Sequence, residues 1–132
     1  MSQPNRILVI EDNPDNLELV RFLLEQAGFQ VISAVDGLEG LEKARTQRPD
    51  LILLDMSLPE LDGWHLAKQL KNAEETASIP IIALTAHTLP GDRRRALEAG
   101  CDGFISKPLN VARFASQIEE YLNRPNNAAR LP

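Results

Sequence analysis

Glu11 and Asp12, Asp55, Thr85 and Lys107 each stand at the end of a short apolar run: Ile7-Leu8-Val9-Ile10, Leu51-Ile52-Leu53-Leu54, Ile81-Ile82-Ala83-Leu84 and Gly103-Phe104-Ile105-Ser106 respectively. If a fold brings these run ends together, three carboxylates meet one ammonium. The excess of negative charge calls for a counter-ion. An oxygen-rich site of that kind suits Mg²⁺, which keeps several waters and takes one or two carboxylates. Asp12 and Asp55 are then the direct ligands, with the Met56 backbone carbonyl as a third protein oxygen and Glu11 acting through a water. A carboxylate is also a nucleophile toward phosphorus and yields an aspartyl phosphate. The transferring group spreads charge over its equatorial oxygens, so catalysis is mostly positioning plus cations. Mg²⁺ can hold one oxygen, the Lys107 ammonium another and the Thr85 hydroxyl a third. Singly, each group has a plainer explanation: acids enrich helix N-termini, Asp55 can cap a turn, Thr85 can be a β-branched strand end, and Lys107 can be solvated. Their coincidence at four run ends sets the pattern apart.

The elements needed to position them are legible. Uninterrupted apolar runs read as strands buried on both faces, typical of a parallel sheet covered by helices. Gln30 to Ala34 adds a shorter strand. Between the strands lie helical patterns. Asn13 caps the first helix, with Pro14 in its first turn and Leu17, Val20, Leu24 and Ala27 inward, and Gly28 ends it. The second opens at Asp36-Gly37, with Leu38, Leu41 and Ala44 inward and Glu39/Lys43 paired outside. The third runs from Gly63 to Asn72 through Leu66, Ala67 and Leu70. Pro90 to Ala99 is the least strongly patterned helix. Asn110 caps the last, with Val111, Phe114, Ile118 and Leu122 in register. Five strands alternating with five helices predict an α/β doubly wound, five-stranded parallel sheet. In the order 2-1-3-4-5, the first and third strands flank the crevice where such sheets bind ligands.

The 132 residues allow one domain: a body over 1–122 and a frayed tail over 123–132. A formal charge of −5 argues against nucleic acid or an anionic membrane as partner. No apolar run is long enough for a bilayer, and the start lacks a signal-peptide core, so a cytoplasmic location is expected. The single cysteine, Cys101, sits in a turn-like Ala-Gly-Cys-Asp-Gly setting and reads as a small turn or core residue.

With these residues assembled, Ile7-Leu8-Val9-Ile10-Glu11-Asp12, Leu54-Asp55 with Leu58-Pro59 and Asp62-Gly63, Leu84-Thr85-Ala86 and Ser106-Lys107-Pro108 resemble the receiver domains of two-component response regulators. The resemblance covers about residues 6–122 with every motif in order. It implies the flavodoxin-like (βα)5 fold, Mg²⁺ as cofactor, and a phosphoryl group taken from a histidine kinase or histidine phosphotransfer protein. By position it makes Asp55 the phosphoacceptor. Glu11, Asp12, Asp55 and the Met56 carbonyl become the metal site, and Thr85 and Lys107 the phosphoryl contacts. Phe104 matches the family's aromatic switch position, moving with Thr85 to reshape a protein-binding surface; it is equally placed to be a plain core aromatic. Ser57 and His87 fall where the family tunes dephosphorylation, and the bond before Pro108 is expected to be cis.

The chain's length resembles the single-domain regulators, which act by docking to a downstream protein target or passing phosphate along a relay, as a monomer or weak dimer. In the family a helical, histidine-bearing partner docks on the first helix, where Leu17, Leu19 and Phe22 form an apolar excess; the alternative is a wide core stripe. Arg93-Arg94-Arg95 is either a contact for an acidic partner or a solvated face. An aspartyl-nucleophile phosphatase is a competing reading, weakened because Ser57 stands where a second acid would be needed. An interaction module that has lost phosphorylation and a flavin-binding flavodoxin are the others; no Ser/Thr/Gly-rich phosphate loop follows the first strand.

Overall fold

The computed structural model describes residues 5–56, 63–85, 94 and 97–123. In chain order its elements are β1 (Arg6–Ile10), α1 (Pro14–Gln26), β2 (Gln30–Ala34), α2 (Gly37–Gln47), β3 (Leu51–Asp55), α3 (Gly63–Asn72), β4 (Ile81–Thr85), β5 (Gly103–Ser106) and α4 (Phe114–Asn123). The sheet is parallel throughout, in the order β2-β1-β3-β4-β5. Every strand therefore ends on the same side. The expected helix over Pro90–Ala99 lies largely outside the described residues, although Arg94, Leu97 and Glu98 are helical.

Both faces of the central strands are buried, which is why their sequences do not alternate with polar residues. Leu8, Ile10, Ile52, Leu54, Ile81 and Ala83 face one layer with Ala44, Leu66 and Leu70. The intervening Ile7, Val9, Leu51, Leu53, Ile82, Leu84 and Ile105 face the other, with Val20, Leu24, Phe114 and Ile118. Each fully buried Leu, Ile or Phe contributes roughly 1.5–3 kcal/mol relative to exposure. Two such layers hold the strand ends in fixed register.

Helix starts follow the chemistry of their caps. Asn13 accepts from the Asn16 N–H at 3.0 Å, and Pro14 occupies a position where no N–H is required. Asp36 accepts from the Glu39 N–H at 2.8 Å, while Glu39 accepts from the Val35 N–H and pairs with Lys43 at 3.1 Å. Gly28, at φ 95, ends α1 as a left-handed residue.

Some inward positions differ from the expected helical stripes. Leu38 is 79% exposed because α2 turns its small residues, Gly37, Gly40 and Ala44, toward the sheet. Gly40 lies so close to the Ile10 side chain that a Cβ there would meet its Cδ1 at 2.5 Å. Ala27 is the exposed C-cap of α1. Val111 is also exposed: Asn110 accepts from the Ala112 N–H, and residues 111–113 form a turn before α4 begins at Phe114. At the other end α4 runs through Asn123, one residue into the segment expected to fray.

The polar connection after α3 is anchored from within. Thr76 is buried and donates its hydroxyl to the Leu70 carbonyl at 2.5 Å. Lys71 reaches the Ala77 and Ile79 carbonyls and pairs with Asp102 at 3.0 Å. Asp102 in turn accepts from the Ile81 N–H at 2.8 Å. This network fastens the starts of β4 and β5 together, at the opposite end of the strands from the carboxylates. Cys101 is buried beside it, and burial pushes its thiol up to about 12.

Candidate functional site

Parallel strands in register carry the predicted groups to one edge of the sheet. Ile10 pairs with Leu54, so Glu11 follows β1 where Asp55 ends β3; Asp55 pairs with Leu84, one residue before Thr85. Thr85 pairs with Ser106, and the Lys107 N–H donates to the Thr85 carbonyl at 2.8 Å. Glu11, Asp12 and Asp55 each present a carboxylate oxygen within 4.8 Å of the others. Glu11 and Asp55 are almost fully buried, at 1% and 2% exposure, while Asp12 faces solvent. The Lys107 ammonium bonds Asp55 Oδ1 at 3.0 Å. Thr85 is 5% exposed at the end of β4. The four strand ends thus converge.

Local structure explains why the carboxylates stay so close. The Asn13 N–H donates to Glu11 Oε2 at 3.2 Å, at the entrance to α1. The Met56 N–H donates to the Leu84 carbonyl at 3.0 Å, which extends the β3–β4 ladder past Asp55. Gly63 begins α3 so close to this bend that a Cβ would meet the Met56 Cα at 2.8 Å. The Lys107–Pro108 peptide is cis, as expected.

Electrostatically the cluster is short of positive charge. Burial, reinforced by the neighbouring Asp55 carboxylate, pushes the Glu11 carboxyl up from 4.5 to about 7. Among the described residues its Oε1 is buried without a hydrogen-bond partner. A buried, orphaned carboxylate oxygen beside two further acids is the donor set a hard divalent cation requires.

Phe104 is half-buried and packs against the layer containing Leu8, Ile10 and Ala83. Ser57 and His87 lie outside the described residues, as do Arg93 and Arg95; Arg94 is exposed. On α1, Leu17 is partly buried, whereas Leu19 and Phe22 are 41% and 57% exposed, so this apolar excess is more than a wide core stripe. Beside the acids, a cavity of about 150 Å³ opens between α1 and the segment after β5, lined by Glu11, Leu19, Val20, Leu84, Lys107 and Leu109. Two relationships escaped the sequence reading. The Lys71–Asp102 pair joins residues remote in sequence. The Tyr121 ring lies over Gly103, where a Cβ would stand 2.3 Å from its Cε1, and only a glycine before an aromatic on a strand hinted at a close approach.

This fold, with acids at the first and third strand ends and a lysine at the fifth, defines a class. Residues 7–119 match the response regulator receiver domain, and the chain belongs to that family. Among its relatives is the polar-differentiation response regulator DivK of Brucella anthropi, 44% identical over 119 residues, covering 90% of this chain and 97% of the relative. The DivK of Brucella ovis is 45% identical over 116 residues, covering 88% and 94%. Among solved structures, the receiver domain of a Pseudomonas aeruginosa sensor histidine kinase superposes with a TM-score of 0.84 at 35% identity. That match covers 92% of this chain and 99% of the other, and the neighbour holds a magnesium ion in its active-site cleft. Vibrio cholerae chemotaxis protein CheY4 gives a TM-score of 0.84 at 27% identity, covering 89% and 98%. The chain is a phosphoacceptor receiver of two-component signalling with a flavodoxin-like fold; neither the phosphatase nor the interaction-module reading is favoured. Among the described residues, no helix is long and apolar enough to cross a membrane.

Proposed function

We propose that Asp55 accepts a phosphoryl group from a phosphohistidine on a kinase or phosphotransfer protein, and that the adduct shifts the chain between two packings. The convergence of Glu11, Asp12 and Asp55 with Lys107 bonded to Asp55 carries this reading. An Asp55 carboxylate oxygen forms the new P–O bond as the P–N bond of the donor histidine breaks, and the departing imidazole keeps the electron pair. Lys107, already 3.0 Å from Asp55, is placed to hold a phosphoryl oxygen through its ammonium. The buried Thr85 hydroxyl is the matching donor from β4, and its approach couples the site to Phe104 on β5.

The donor set fits Mg²⁺, which Asp12, Asp55 and the Met56 carbonyl would hold, with Glu11 as the outer acid of the set. When bound, the cation neutralises charge that develops on the transferring group. Around it, the chain's own residues keep the acids in place. The cap at Asn13 fixes the turn that carries Glu11 and Asp12, and the Met56–Leu84 bond fixes the end of β3.

The chain acts as a switch, with no turnover beyond its own phosphorylation and dephosphorylation. Ser57 and His87 tune the latter by gating the attacking water. The partner that delivers the phosphoryl group docks on α1, over exposed Leu19 and Phe22 and the cavity leading toward Glu11 and Lys107. The phosphorylated form is read by a downstream protein target, in the cytoplasm. Intact mass after treatment with acetyl phosphate and Mg²⁺ tests the core of this reading. A phosphoryl adduct is expected on the wild type and absent from Asp55→Asn; an unlabelled wild type would overturn it.

A further inference from the structure

Tyr121 is the chain's single tyrosine, in the last turn of α4. Its ring lies against the backbone of Gly103, so that a Cβ there would stand 2.3, 2.4 and 2.5 Å from Cε1, Cζ and the phenol oxygen. Only a residue without a side chain leaves room for this seat. The phenol also points at the next peptide, with its oxygen 3.5 Å from the Phe104 carbonyl. The seat sits at a junction. Gly103 and Phe104 pair with Ile82 and Ala83 of β4, the strand that ends in Thr85, and three residues beyond Phe104 is Lys107. Phe104 turns its side chain to one layer of the core while Tyr121 belongs to the other. The two aromatics therefore bracket β5 from opposite faces.

We propose that Tyr121 is a positioning residue through which α4 senses the state of the phosphoacceptor site, by riding on the Gly103–Phe104 backbone. This rests on the reading of Asp55 as acceptor and of Thr85 and Phe104 as the moving pair. The reasoning is steric. A ring packed on bare backbone has no intervening side chain to absorb a displacement, so a shift of the Gly103–Phe104 backbone passes directly to the ring and to α4. Coupling is reciprocal: if the site moves Tyr121, altering Tyr121 must alter the site's affinity for its ligand.

With Tyr121 as the one tyrosine, 3-fluorotyrosine labelling of the full chain gives one ¹⁹F resonance for the seat. Addition of beryllofluoride with Mg²⁺, or of acetyl phosphate with Mg²⁺, is expected to shift or split it. Mg²⁺ alone, and beryllofluoride or acetyl phosphate on Asp55→Asn, should leave it in place. A resonance that stays put while intact mass shows full phosphorylation overturns the role of Tyr121 and leaves Asp55 as acceptor. Absence of any adduct removes the acceptor reading and the inference with it. Calorimetric titration of beryllofluoride supplies the reverse direction. Tyr121→Leu should change the affinity by about fivefold or more, whereas Tyr121→Phe, which keeps the ring on Gly103, should stay near wild type. Unchanged affinity in folded Tyr121→Leu would mean that the ring only packs.

Discussion

Lys107 Nζ stands 3.0 Å from Asp55 Oδ1, linking a partly buried loop cation to a carboxylate that is almost fully buried. It is the positive charge that the chain directs at Asp55 from the end of β5. Lys107→Ala should therefore leave Asp55 crowded by Glu11 and Asp12, and destabilise the metal-free protein by about 1–3 kcal/mol. Urea unfolding with and without Mg²⁺ checks this: the loss should be largest without the cation. An equal loss in both conditions would show that the pair does not compensate the acids.

The raised Glu11 carboxyl makes stability depend on pH in an unusual direction. Between its unfolded value of 4.5 and about 7 in the fold, the folded chain binds more protons than the unfolded one. Stability from this group then falls as pH rises through that window, and its destabilising contribution is complete above it. Metal-free melting curves across this range should show the decline, and Glu11→Gln should flatten it. A wild-type profile that rises over the same window, and is unchanged in Glu11→Gln, would exclude a raised Glu11 carboxyl.

Mg²⁺ should raise the melting temperature in a concentration-dependent way, approaching about 2.7 kcal/mol of stabilisation at one hundred times its Kd. Asp12 is exposed, so Asp12→Ala should cost little stability by itself while abolishing the Mg²⁺ response. A variant that still responds fully would remove Asp12 from the metal site.

Phe22 lies open on α1, so Phe22→Ala should alter stability by no more than about 0.5 kcal/mol. Labelling by acetyl phosphate should be unaffected, because that reagent needs no docking surface. Transfer from a histidine phosphotransfer protein should slow several-fold. Equal rates with both donors would return Leu19 and Phe22 to the role of incidental surface.

Cys101 is buried with its thiol pushed up to about 12. At mildly alkaline pH it should resist thiol reagents in the folded chain and react once urea unfolds it. Fast modification without unfolding would mean that the β5 entrance opens readily.

What the sequence determined by itself was the sheet and the chemistry at its edge. Three uninterrupted apolar runs, 7–10, 51–54 and 81–84, read as strands covered on both sides, Gly103–Ser106 adds a less buried one, and parallel strands end on the same side. Residues that follow such runs, Glu11, Asp55, Thr85 and Lys107, therefore lie on one side of the sheet, and the strand order β2-β1-β3-β4-β5 then brings Glu11, Asp12 and Asp55 within 4.8 Å of one another. Cap chemistry at Asn13 and Asp36 was equally local, since side chain and backbone partner are three residues apart. Tertiary structure decided which face of each helix turned inward. Leu38 and Val111 fit an apolar stripe by spacing, yet α2 approaches β1 through glycine and alanine, and α4 begins a turn later than its cap residue. Helical periodicity fixes angles between residues but not the distance at which a helix meets its sheet. That distance is set by side-chain volume on both partners. For the same reason the seat of Tyr121 on Gly103 and the ion pair of Lys71 with Asp102 could be seen only in three dimensions, because each joins segments that the chain itself keeps far apart.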